Sequence, residues 1–121
     1  MPTTYAIPDG RTVMAATLYT GTNANLTVTN TVNGVGFKPD FAWIKIRSTA
    51  SDHVLIDSVR GVQQVLWSDL TTAEATSTST SGLLSFANNG LNLGTNISTT
   101  GSTNGVGGTY VAWQWQAGQG T

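Results

Sequence analysis

The chain is 121 residues long, enough for one domain with a real core, and it carries a net charge of -1. Only 9% of its residues are charged, against roughly 25% in an average soluble domain, so its surface must be covered by Thr, Ser, Asn, Gln and Gly. That balance argues against a nucleic-acid binder, the lack of any apolar run near 18 residues argues against a membrane span, and the absence of Cys removes disulfides and thiolate metal sites.

Residues 1–10, with Pro2, Pro8 and the turn Pro8-Asp9-Gly10, read as an extended N-terminal arm. Its opening residues have neither the basic nor the apolar region of a secretory signal peptide. Residues 11–117 read as one β-domain and 118–121 as a Gly-rich tail. Thr12 to Tyr19 makes a first strand and Leu26 to Asn30 a second, with Asn33-Gly34 and Gly36 marking a loop. Phe41 to Arg47 is the strongest strand of the first half. Its period of two puts Ala42, Ile44 and Ile46 toward the core and Phe41, Trp43, Lys45 and Arg47 on the other side, where the stems of Lys45 and Arg47 can cover Trp43.

Val54 to Ile56 and Val62 to Trp67 are two further strands. The Thr/Ser-rich stretch 69–81 buries little and reads as a loop or a loosely held edge. Leu83 to Phe86 and Leu91 to Leu93 form a hairpin around Asn88-Asn89-Gly90. A second polar loop spans 96–108. The last strand, 109–117, alternates Val111, Trp113 and Trp115 against Tyr110, Ala112 and Gln114, and the first set reads as buried. With roughly eight strands and no helix, the expected fold is all-β: a single β-sandwich of jelly-roll or lectin-like type with an extended N-terminal arm.

Chemistry is poorly represented. His53 is the single histidine, and no nucleophile elbow accompanies it, so it reads as a turn residue at the mouth of a strand. Asp52, His53 and Asp57 match no ligand spacing, and five Asp with one Glu are too scattered for a calcium loop or a glycosidase pair. No enzyme, metal or cofactor is expected. The sequons at Asn25 and Asn96 read as chance matches. Asp57 and Arg60, three apart around a turn closed by Gly61, read as a structural ion pair. Of the four tryptophans, Trp67 stands just before Ser68-Asp69 and reads as the one that reaches the surface, where it would touch a glycan or a protein.

Four stretches carry a family likeness: Met1 to Arg11, Gly36 to Lys45 (Gly-Phe-Lys-Pro-Asp-Phe-Ala-Trp-Ile-Lys), Asp57-Ser58-Val59-Arg60-Gly61, and Tyr110 to Gly118 (Tyr-Val-Ala-Trp-Gln-Trp-Gln-Ala-Gly). Together they resemble a family of tailed-bacteriophage virion proteins labelled tail fibre, head fibre or capsid decoration protein, with modules similar to lectin-like sandwiches. The resemblance implies a structural or adhesive role without catalysis. The expectation that follows is a capsid decoration (cement) protein on the virion surface, with the major capsid protein or other virion proteins as partners. A homo-oligomer, for example a trimer, goes with it, and Tyr5 and Ile7 would be the apolar anchors of the arm. The alternative is a head- or tail-fibre module whose loops 69–81 and 96–108 bind a host receptor or glycan.

Overall fold

The computed structural model describes residues 6–97 and 101–117. Tyr5 and the tail 118–121 lie outside the described residues. Among the described residues, nine strands follow a short 3-10 turn at Gly10–Thr12: β1 (Met14–Thr20), β2 (Leu26–Thr29), β3 (Phe41–Ile46), β4 (Val54–Asp57), β5 (Gln64–Trp67), β6 (Ala75–Thr76), β7 (Leu83–Ala87), β8 (Gly90–Leu93) and β9 (Thr109–Trp115). They form two antiparallel sheets, one of six strands in the order β1-β9-β3-β4-β5-β6 and one of three in the order β2-β8-β7. The architecture is an all-β sandwich, as the periodicity predicts.

Turn chemistry explains the joints. Asn33 and Gly34 both take positive φ, 50° and 79°, which is what a two-residue hairpin turn of the primed kind requires. Val32 and Val35 close it with N–H···O bonds of 2.8 and 3.0 Å. At the β7–β8 hairpin, Gly90 has φ 152°, and a Cβ there would stand 2.0 Å from the Val28 carbonyl oxygen. Only glycine lets β2 approach β8 this closely. Ahead of β1, Asp9 caps the 3-10 turn by accepting from the Arg11 N–H at 3.0 Å, and its carboxylate is also paired with the Arg11 guanidinium at 2.8 Å.

The core lies between the sheets. From the large sheet come Ala42, Ile44 and Ile46 of β3, Val54 and Ile56 of β4, Val65 and Trp67 of β5, and Tyr110 and Ala112 of β9. The small sheet supplies Val28, Leu83, Leu91 and Leu93. Two expectations are corrected here. In β9 the buried set is Tyr110, Ala112 and Gln114, while Val111, Trp113 and Trp115 face outward, because β9 pairs with β3 so that Trp113 stands opposite Trp43 and Ala112 opposite Ile44. Trp67 is only 9% exposed, so it does not reach the surface: it shares the inner face of β5 with Val65, and Gly101 lies beside its indole nitrogen.

Candidate functional site

The outer face of the six-stranded sheet carries the most distinctive surface of the molecule. Cross-strand register stacks its side chains in rows. Met14, Trp115, Phe41 and Asp57 form one row across β1, β9, β3 and β4. Ala16, Trp113, Trp43, Leu55 and Leu66 form the next, reaching β5. Leu18, Val111 and Lys45 form the third. Phe41 and Trp115 lie 5.2 Å apart with their rings tilted by 35°, and Trp43 and Trp113 meet edge to face at 5.7 Å and 68°. Such offset pairs are the favoured aromatic geometry in cross-strand positions. Met14, Trp43, Trp113 and Trp115 line a shallow concavity of about 310 Å³.

Polar groups mark the margins of this face. The Trp43 indole N–H donates to His53 Nδ1 at 3.0 Å, and the two rings meet edge to face at 5.7 Å. The Trp43 donor is thereby satisfied within the chain, whereas the indole N–H groups of Trp113 and Trp115 have no partner among the described residues. His53 is held by its own backbone N–H, which donates to Asp69 Oδ1 at 3.0 Å; that bond keeps the Asp69 carboxyl below the usual aspartate range. His53 therefore orients Trp43, which fits its expected place at the mouth of a strand.

On the far margin, Arg60 Nε donates to Asp57 Oδ2 at 2.7 Å and Arg60 Nη1 to Glu74 Oε2 at 2.9 Å. The expected Asp57–Arg60 pair is thus one half of a three-residue cluster. Burial pushes the Asp57 carboxyl up, but the Arg60 N–H at 2.8 Å, the guanidinium and the Val59 N–H at 3.0 Å outweigh it and hold the group below its ordinary value. Sequence spacing offers Glu74 no partner; Arg60, 14 residues away, supplies one and fastens the 69–81 segment to the β4–β5 turn.

Three of the four stretches that carry the family likeness converge at Asp40. Its carboxylate accepts from the Ser58 hydroxyl at 3.3 Å and from the Ala117 N–H at 3.0 Å, and its carbonyl accepts from the Ser58 N–H at 2.8 Å. Pro39-Asp40, Asp57 to Gly61 and the end of β9 are therefore one structural joint beside the aromatic face. Ile7 is 53% exposed, so on this chain it is unburied.

Of the loops expected to display polar groups, 96–108 buries Ile97, Thr103, Asn104 and Gly108 among its described residues, while Val106 and Gly107 stay exposed. Asn104 is fully buried: its Nδ2 donates to Ala24 O and Gly94 O, both at 2.7 Å, and its Oδ1 accepts from the Thr22 N–H at 2.8 Å. Asn96 Oδ1 accepts from the Ser102 hydroxyl and the N–H groups of Thr103 and Asn104. The loop plugs one end of the sandwich. The residues that sequence reasoning missed are Trp113, Trp115 and Met14. The signal for them was the register with Trp43, which needs the β9–β3 pairing to be known.

No curated protein and no solved structure matches the chain. Residues 9–121 match the family model described as a domain of unknown function, DUF7483, and the chain belongs to that family.

Proposed function

We propose that this protein is a non-catalytic structural component of a bacteriophage particle, a capsid decoration protein that seats on its shell partner through the aromatic outer face of the six-stranded sheet. The observation that carries the reading is the cluster of Trp115, Trp113 and Trp43 left half-buried on the outside of a sandwich that has a core of its own between the sheets. Large aromatic residues grouped at a surface mark protein contacts, where they supply area at low entropic cost. The face centre carries no charge, and its two unpaired indole N–H groups can meet carbonyls of a partner. The sparse charge of the whole chain suits close packing beside other subunits. The likeness to phage virion proteins supplies the particle, and the major capsid protein is the natural partner. The arm, residues 1–10, would reach onto a neighbouring subunit with Tyr5 and Ile7 as anchors.

Phage particles assembled without this protein and then incubated with the purified chain test the reading. The wild-type chain should decorate the shell in electron-microscopy maps. Trp113→Ala should lower occupancy by roughly tenfold or more, as removal of a central aromatic anchor does. Deleting residues 1–10 should abolish attachment while leaving the sandwich folded. Wild-type occupancy by both variants would overturn the proposal.

A second reading, a fibre module that binds host glycan, is favoured by one feature: three indole rings around one concavity offer the flat platforms on which sugar rings stack. Trp67, buried, has no part in it. Binding on a glycan array that is lost in Trp113→Ala, with no attachment to shells, would favour this reading instead.

A further inference from the structure

We infer that β1 is a self-association edge: two copies join β1 to β1, antiparallel about a two-fold axis at Thr17, so that their six-stranded sheets run on as one. The inference stands on the backbone and does not depend on what covers the aromatic face.

Gln116 N–H donates to Val13 O at 2.8 Å and Gly21 N–H donates to Gly108 O at 2.8 Å, one at each end of the β1–β9 ladder. In an antiparallel ladder the hydrogen-bonded pairs alternate, so Ala15, Thr17 and Tyr19 bond to β9. Met14, Ala16, Leu18 and Thr20 point their N–H and C=O groups away from the sheet. None of these groups has a hydrogen-bond partner among the described residues.

Open edges of this kind are normally guarded by short length, a charge, a proline or a bulge. The other edges have such guards: β6 is two residues long, β2 is four, and β7 has a register shift between Leu83 and Ser85. β1 has seven residues, Met-Ala-Ala-Thr-Leu-Tyr-Thr, with no charge, no proline and an unbroken register.

Three features select a second copy as the occupant. Full overlap of Met14–Thr20 with itself pairs Met14 with Thr20 and Ala16 with Leu18, so every outward-pointing residue meets an outward-pointing residue in hydrogen-bond phase. A strand whose two ends differed in parity would fail this test. Next, Leu18, 64% exposed, falls opposite the small Ala16, and no like charges meet across the axis. Finally, an open groove of about 250 Å³ runs between β1 and residues 29–32. The partner's Thr17, which falls opposite Thr17 at the axis and points to that side of the sheet, is small enough to enter it.

Sedimentation of the full chain over a range of concentrations tests this. The wild-type chain should form a dimer, and amide exchange at Ala16 and Leu18 should slow as the dimer fills. Ala16→Pro removes an N–H that the single chain does not use, which an edge strand tolerates. It should leave the circular dichroism spectrum, and the melting temperature measured at dilutions where the chain is monomeric, unchanged while weakening dimerisation roughly tenfold or more, since two inter-strand bonds are lost per dimer. Leu18→Lys, which places charge beside the axis, should do the same and decides the matter if Ala16→Pro does not fold. Deleting residues 1–8 should leave the dimer intact. A wild-type chain that stays monomeric, a three-fold oligomer, or a dimer indifferent to both variants would overturn the inference. So would a dimer lost on removing residues 1–8, which would make the arm the occupant, or one lost in Trp113→Ala, which would mean that copies meet face to face.

Discussion

The two faces of the six-stranded sheet divide the apolar residues in an unusual way. The inner face takes Ala42, Ile44, Ile46, Val54, Ile56, Val65 and Ala112, mostly small or β-branched groups that pack against the Leu-rich small sheet, with two large rings, Tyr110 and Trp67, among them. The outer face takes Phe41, Trp43, Trp113 and Trp115, three of the four tryptophans and a phenylalanine, and leaves them half-buried. Burial alone would have sent the rings inward. Their placement outside means that they take no part in the core between the sheets.

The sharpest way to break this contrast is to truncate one residue on each face of the same region. Ile44, fully buried, should lose about 2 to 5 kcal/mol of unfolding free energy on replacement by Ala, the cost of a cavity in a packed core. Trp113→Ala removes far more volume, yet should cost only about 1 to 2 kcal/mol, chiefly its ring contact with Trp43. Denaturant titration of both variants measures the difference. If Trp113→Ala proved the more damaging, the outer face would be a second core rather than a surface held for a partner.

The same contrast shows where sequence reading succeeds and where it stops. In β3 the alternation has one plausible core side, since the other carries Lys45 and, just beyond the strand, Arg47; Ala42, Ile44 and Ile46 are buried as expected. In β9 both sides look acceptable as core, and bulk favours the wrong one. What decides is pairing: Ala112 sits opposite Ile44, and Tyr110 stacks on Tyr19 at 5.0 Å. Gln114, which reads as a surface residue, is fully buried because its amide bonds Asn30 and Thr17, each at 3.2 Å. Trp67 fails for a related reason, since the loop that covers it lies more than thirty residues further along the chain. Local periodicity carries strand positions and turns; it carries no information about which distant group will satisfy a hydrogen bond or cap a ring.

A second prediction sharpens the inner side. The core is closed at one end by polar side chains, and Asn104, with three side-chain hydrogen bonds, is fully buried among them. Asn104→Ala leaves the Thr22 N–H and the Ala24 and Gly94 carbonyls without their bonds, the Gly94 carbonyl in the buried interior. The expected loss is about 2 to 4 kcal/mol in the same titration, because stranded backbone groups cost more than a hydrogen bond contributes. A loss no greater than that of Trp113→Ala would show that the 101–108 segment lies over the sandwich without closing it.

The smallest effect concerns the margin of the outer face, where Asp57 continues the Met14–Trp115–Phe41 row and binds Arg60. Its carboxyl is held below the ordinary value of 3.8, so the folded chain keeps the charged form to lower pH than the unfolded chain does. The sign follows from that. The contribution to stability is fully present above the unfolded value and is lost as pH falls through the folded one. Asp57→Asn keeps an acceptor for the Val59 and Arg60 N–H groups but loses the ion pair, and should cost about 1 kcal/mol at neutral pH. Its unfolding free energy should also fall less steeply than that of the wild-type chain as the pH drops below about 4. Glu74 would still hold Arg60 in that variant, so the aromatic rings should keep their near-ultraviolet dichroism. If that signal collapsed instead, the ion pairs at the margin would be what fixes the rings of the outer face, and the face could not be treated as preformed by strand register alone.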